Sequence, residues 1–117
     1  MSSSILVEKS YAFALRVVRL SQYLNNERKE FKLARKILDS GTAIGALVEE
    51  ARQGENRKDF AQRLYLAAKE AFTTNYWLRL LRDGNHITTD QTSSLLFDCE
   101  ELQKMLVVSR KTARNAS

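Results

Sequence analysis

Apolar positions recur along this chain with the 3.6-residue period of an α-helix, in four blocks separated by short polar runs. The first, about residues 5–26, carries two apolar rows: Tyr11, Ala14, Leu15 and Val18, and beside them Phe13, Val17, Leu20 and Leu24. Glu8, Lys9, Arg16 and Arg19 share the remaining face. The second block, about 31–53, has one stripe: Ala34, Ile37, Leu38, Gly41, Ile44, Gly45 and Val48. The third, about 57–83, has a stripe of Phe60, Leu64, Ala67, Ala71 and Leu78, and a second of Tyr65, Phe72 and Tyr76, widened by Leu66, Trp77 and Leu80. It is apolar almost all the way round. The fourth, about 89–111, places Leu95, Leu96, Cys99, Leu102 and Leu106 on one side.

Punctuation agrees with the blocks. Serines at 2–4 offer an N-cap to the first, Asn56 caps the third, and Thr88 with Gln91 has capping-box spacing before the fourth. Gly54 and Gly84 stand where helices two and three should stop. The basic end "SRKTARNAS" is expected to fray.

Composition narrows the fold. There is no proline in 117 residues and only four glycines, while strong helix formers dominate. The expectation is one all-α domain, an up-down-up-down antiparallel four-helix bundle joined by short turns. Each helix would be about 30 to 40 Å long at ~1.5 Å per residue.

Within that bundle, "SGTAIGALVEEA" poses a problem: Gly41 and Gly45 lie inside a helix, where each costs about 1 kcal/mol relative to alanine. Both fall on the apolar stripe. A missing side chain there lets a neighbouring helix approach closely, and dispersion across the contact offsets the propensity loss. A phosphate-binding loop is the other reading, but no lysine and Ser/Thr follow at the spacing such a loop needs.

Charge and chemistry then bound the function. Lys and Arg exceed Asp and Glu by 19 to 14, giving a net charge of +5, which permits a polyanionic partner such as RNA or DNA. "RKEFKLARK" holds Arg28, Lys29, Lys32, Arg35 and Lys36 with one acid. In an up-down bundle this turn lies at the same end as Arg79 and Arg82, while Arg16 and Arg19 project from helix one. Arg110, Lys111 and Arg114 fall at the other end, near Arg52, Arg57 and Lys58. A solvated helix end is the plainer reading of any one of these residues.

No apolar run is long enough for a membrane span, and the N-terminus lacks the pattern of a signal peptide. With a single cysteine, Cys99, no internal disulfide can form, and a cytoplasmic protein is expected. Cys99 reads as a small core residue. Glu49, Glu50 and Glu70 sit nearest the apolar faces, with Arg52, Arg63 and Lys69 as candidate ion partners. His86 is the sole histidine and falls in a turn. No paired Glu-x-x-His motifs, Cys/His cluster or nucleophile with a histidine base is present. The chain is therefore expected to be no enzyme, with no metal and no cofactor.

"SGTAIGALVEEA", then "DFAQRLYLAAKEAFTTNYWLRLL", then "DCEELQKML" resembles the four-helix-bundle proteins grouped with the 23S ribosomal-RNA intervening-sequence proteins. These are related in fold to the accessory variability determinants of diversity-generating retroelements. Relatives look like "SGTSIGANxAEA" and "KEAxETxYWLxLL"; here Leu47 and Glu49 replace the asparagine and an alanine, and Phe72 to Asn75 stand before the tyrosine. The resemblance implies a ring-shaped homo-oligomer, a pentamer, and for the retroelement branch binding to nucleic acid and a reverse transcriptase. The surplus apolar face of the third block agrees with a ring, with Tyr65, Phe72, Tyr76 and Trp77 as subunit contacts. The alternative is a wide core with tyrosine hydroxyls reaching water.

The reading that follows is a ring-forming bundle, accessory to nucleic-acid-processing machinery. It would bind RNA or DNA through Arg16, Arg19, Arg28, Lys29, Lys32, Arg35, Lys36, Arg79 and Arg82. A protein–protein scaffold with no nucleic-acid role is the alternative.

Overall fold

Four helices form where the periodicity places them: α1 (Ser2–Asn26), α2 (Phe31–Arg52), α3 (Arg57–Asp83) and α4 (Thr89–Asn115). The structure is a computed structural model that describes residues 2–115, with side chains from residue 5 onward. The N-cap role expected of the serines at 2–4 lies outside the described side chains. Two boundaries differ from expectation. α1 begins at Ser2 rather than residue 5, and α4 continues to Asn115 rather than stopping at 111. In α4 the buried Ala113 lies within the added turn.

Caps explain most of the boundaries. Asn56 Oδ1 accepts from the Asp59 amide at 2.8 Å. Thr88 and Gln91 exchange both capping-box bonds, at 2.8 and 3.0 Å. Glu30 supplies the cap of α2, accepting from the Leu33 amide. The left-handed residues are Lys29 and Asn85, while no described glycine has positive φ. Gly84 serves a close approach instead, since a Cβ there would stand 2.9 Å from the Leu80 carbonyl.

The two apolar rows of α1 have different fates. Phe13, Val17, Leu20 and Leu24 enter the core, whereas Tyr11 is 63% exposed and Leu15 is also on the surface. The core gathers these with Ile37, Ile44 and Val48 of α2, Leu64, Leu78 and Leu81 of α3, and Leu95, Leu102 and Leu106 of α4. Burying each aliphatic side chain fully contributes about 1.5–3 kcal/mol.

Each helix packs on its chain neighbours and α1 also on α4, so α1 and α3 lie across the diagonal. The whole measures 48 × 20 × 18 Å. α1 meets α2 at the two glycines. A Cβ on Gly41 would lie 2.7 Å from Val17 Cγ1, and one on Gly45 would lie 3.3 Å from the Ser10 carbonyl oxygen. Polar groups between helices are paired. The Ser21 hydroxyl donates to the Ala34 carbonyl. Thr74 Oγ1 lies 2.9 Å from Ser40 Oγ and 2.8 Å from the Glu70 carbonyl. No buried side-chain polar atom lacks a partner among the described residues, as expected where an unpaired polar group costs more than a pair gains.

Candidate nucleic-acid interface

One end of the bundle is built from the α1–α2 and α3–α4 turns, which are tied to each other. Arg28 Nη2 donates to the Asn85 carbonyl at 3.0 Å, and His86 Nε2 stands 3.7 Å from Glu30. Seven of the nine cations expected to bind nucleic acid lie on these turns or on the flanking turns of α2 and α3. They differ in how free they are. Lys29, Lys32 and Arg35 are exposed and make no ion pair among the described residues. Lys36 lies over the Trp77 ring at 5.6 Å. Arg79 donates to Asn75 Oδ1 at 2.8 Å and sits over Tyr76.

Arg82 is committed to Asp83 through Nε and Nη2, at 2.8 and 3.3 Å. That hydrogen bond, more than the bare charge, raises the guanidinium pKa and holds the Asp83 carboxyl below its ordinary value. Both groups face water, so the pair contributes little to stability.

Arg16 and Arg19 lie on the α1–α4 edge that runs up to this end, rather than on its turns. Arg16 bonds Asp98 across α1 and α4 at 2.6 Å, and Arg19 stands beside it, near Tyr23 and Gln91. The structure therefore splits the expected nine into an end cluster and a separate α1–α4 edge.

The opposite end holds a second cluster that sequence reasoning placed only at a pole. Because α4 stays helical to Asn115, Arg110 and Arg114 come to the start of α3, where with Arg57 and Lys58 they line one groove. The Arg110 guanidinium stacks on the Tyr65 ring at 4.6 Å, with Lys69 over the same ring at 5.6 Å. The sequence placed Arg110 and Arg114 near Arg57 and Lys58 at this end; the tail expected to fray is instead helical to Asn115, and Ala113 among the basic residues was the available signal.

The residues expected at a subunit contact also divide. Tyr65, Phe72 and Tyr76 lie exposed on the outer face of α3, Phe72 by 53%, beside Val107 of α4. Trp77 is half-buried against the core, with its ring 5.1 Å from Tyr76 in a T-shaped arrangement. Of the acids singled out, Glu49 pairs with Arg52 and Glu50 with Arg63. Glu70 offers only its carbonyl, to Thr74.

Cys99 is buried, its thiol donating to the Ala71 carbonyl at 3.3 Å. Desolvation, reinforced by Glu100 and Asp98, pushes its pKa up to about 12, the reverse of a reactive thiol. Among the described residues no group of three or more His, Cys, Asp or Glu is placed to hold a metal. No described helix is long and apolar enough to cross a membrane.

Comparison with known proteins finds a family and solved structures. The family described as 23S rRNA-intervening sequence protein matches residues 2–108. A solved structure from Bacteroides thetaiotaomicron, a protein of unknown function from the S23 ribosomal protein family, superposes with a TM-score of 0.94. It is 44% identical, over 96% of this chain and 100% of that one. No curated protein matches.

Proposed function

The chain belongs to the 23S rRNA-intervening sequence protein family, and we propose that it is a non-enzymatic, cytoplasmic RNA- or DNA-binding protein. The observation that carries this reading is the set of exposed cations Lys29, Lys32 and Arg35, without ion partners among the described residues, at an end whose turns are fixed by Arg28. Cations with no carboxylate partner have no ion pair to break before they meet a phosphate. Contacts would be to the backbone, so binding is salt-dependent and weakly sequence-specific.

The helices are read as running alternately up and down. In support, Lys9 reaches Glu101 while Arg16 reaches Asp98, so α1 and α4 advance in opposite senses. Copies are proposed to close into a ring, a pentamer, through the outer face of α3 with Tyr65, Phe72 and Tyr76. Such a ring would multiply the cationic end around one axis and present it to a nucleic-acid enzyme such as a reverse transcriptase. A protein–protein scaffold is the second reading, favoured by the same apolar face.

The test is fluorescence anisotropy with structured RNA, single-stranded DNA and duplex DNA across a salt series, after bound nucleic acid is stripped. Binding at micromolar concentration or tighter, with a steep salt slope, is expected. No binding at low salt overturns the reading in favour of the scaffold. Sedimentation tests the ring: a mass five times 13.4 kDa is expected, and a single 13.4 kDa species removes it.

A further inference from the structure

The cationic groove at the opposite end is not one of the surfaces assigned above, and its surroundings are unusual. Arg57, Lys58, Arg110 and Arg114 line it over a floor of Ala61 and Ala113, and none of the four has an ion partner among the described residues. Arg110 and Arg114 lie four apart on one helix, a spacing at which like charges repel. Arg57 and Lys58 occupy the first turn of α3, where the helix dipole disfavours cations. Helix-end charge at the last turn of α4 explains Arg114 alone; it does not explain four cations lining one groove. A bound polyanion would lower the repulsion that remains after screening by solvent.

A second recess, about 760 Å³, adjoins the groove and shares Arg57 and Ala113 with it. Its lining includes Phe60 and Val108, with Asn56, Ser109 and Thr112 as hydrogen-bonding groups, and no carboxylate. Phosphate-binding cations next to an apolar recess with polar groups match a nucleotide whose base is unstacked. A duplex keeps its bases inside and offers the recess nothing.

We infer that the α3–α4 groove binds single-stranded nucleic acid, with backbone phosphates on Arg57, Lys58, Arg110 and Arg114 and one base in the recess beside Phe60. This rests on the nucleic-acid reading above and adds a location and a strandedness to it.

The test compares a single-stranded RNA of about ten nucleotides with its duplex, using the full chain and two groove variants. Arg110→Gln/Arg114→Gln is expected to lower single-strand affinity at least tenfold. It should also reduce the salt slope by about 1.4, from two phosphates at ~0.7 each. Arg110→Lys/Arg114→Lys, which keeps the charge, should retain most of the affinity, and circular dichroism checks that α4 is intact. Val108→Trp narrows the recess and should weaken single-strand binding without changing the salt slope.

Wild-type binding unaffected by the Gln variant overturns this inference while leaving the first end in place. Equal affinity for duplex overturns the single-strand assignment. Displacement by polyglutamate at equal charge shows a non-selective polyanion site and overturns it too. No binding of any nucleic acid by the wild type fails the parent reading instead.

Discussion

The contact between α1 and α2 and the outer face of α3 and α4 use apolar residues in opposite ways. At the first, glycines remove side chains so that two backbones close on Val17 and Ser10, and nothing apolar is left over. At the second, Tyr65, Phe72, Tyr76, Phe97, Val107 and Val108 stand in water although the core beneath is complete. Close packing is unforgiving because interiors are filled to crystal-like density. An exposed apolar face tolerates change in the monomer and registers it only in what the monomer meets.

The widest contrast is chemical. Cys99 lies on the inner side of α4 with its pKa near 12, against an ordinary value of 9.0. Its thiolate fraction at pH 8 is therefore about a thousandfold below that of a free thiol. Labelling with a chromogenic disulfide should be slower by at least that factor in the native protein and immediate in denaturant. Fast native labelling would mean that the inner side of α4 opens readily. The same shift makes stability pH-dependent. The protonated native thiol contributes fully below about pH 9, and that contribution is lost as pH rises from about 9 toward 12. Cys99→Ala should flatten this part of the pH profile.

Among stability effects, Gly41→Ala and Thr74→Val are expected to be the larger. The new methyl at position 41 would meet Val17 at 2.7 Å. Overpacking costs about 1–3 kcal/mol, against a gain in helix propensity of about 1 kcal/mol, and thermal melting gives the balance as a lowered Tm. Thr74→Val is comparable, with a loss of about 1–2 kcal/mol in urea denaturation because Ser40 loses its partner in a buried site.

Gly45→Ala should be milder than Gly41→Ala, since its nearest neighbour is a carbonyl at 3.3 Å. Equal losses at the two glycines would mean that the helices cannot adjust anywhere along their contact. The smallest change in stability belongs to Phe72→Glu on the open face, within about 0.5 kcal/mol; if the proposed ring forms, sedimentation of this variant shows the monomer. A large loss of monomer stability at Phe72 would abolish the contrast between the two regions.

Sequence pattern made the four helices and the glycine contact legible because each rests on local rules: period, caps and small residues on an apolar stripe. Three things were not legible, and each depends on what the chain meets in space. Tyr11 and Leu15 match Phe13 and Val17 in spacing, and only the position of α2 and α4 decides which row is buried. Trp77 belongs to the third block's surplus apolar face, yet it turns toward α2 and Lys36 while Tyr65 and Phe72 turn toward α4. The second cationic groove needs α4 to stay helical through Ala113, which propensity in a basic tail does not announce. Of the expected nucleic-acid residues, clustering by sequence located the Arg28–Lys36 run; Arg16 was drawn aside by Asp98 on a helix 82 residues away.

The fit of Gly41 against Val17 also sets an order in which this chain can change over generations. Alanine at position 41 arrives against a stiff, β-branched neighbour with no room to turn, so as a first step it is penalised. Were Val17 trimmed to alanine beforehand, the same step would fill a gap and restore helix propensity. The order is thus one-way, Val17 before Gly41, and descendants of this sequence should not carry alanine at 41 beside valine at 17.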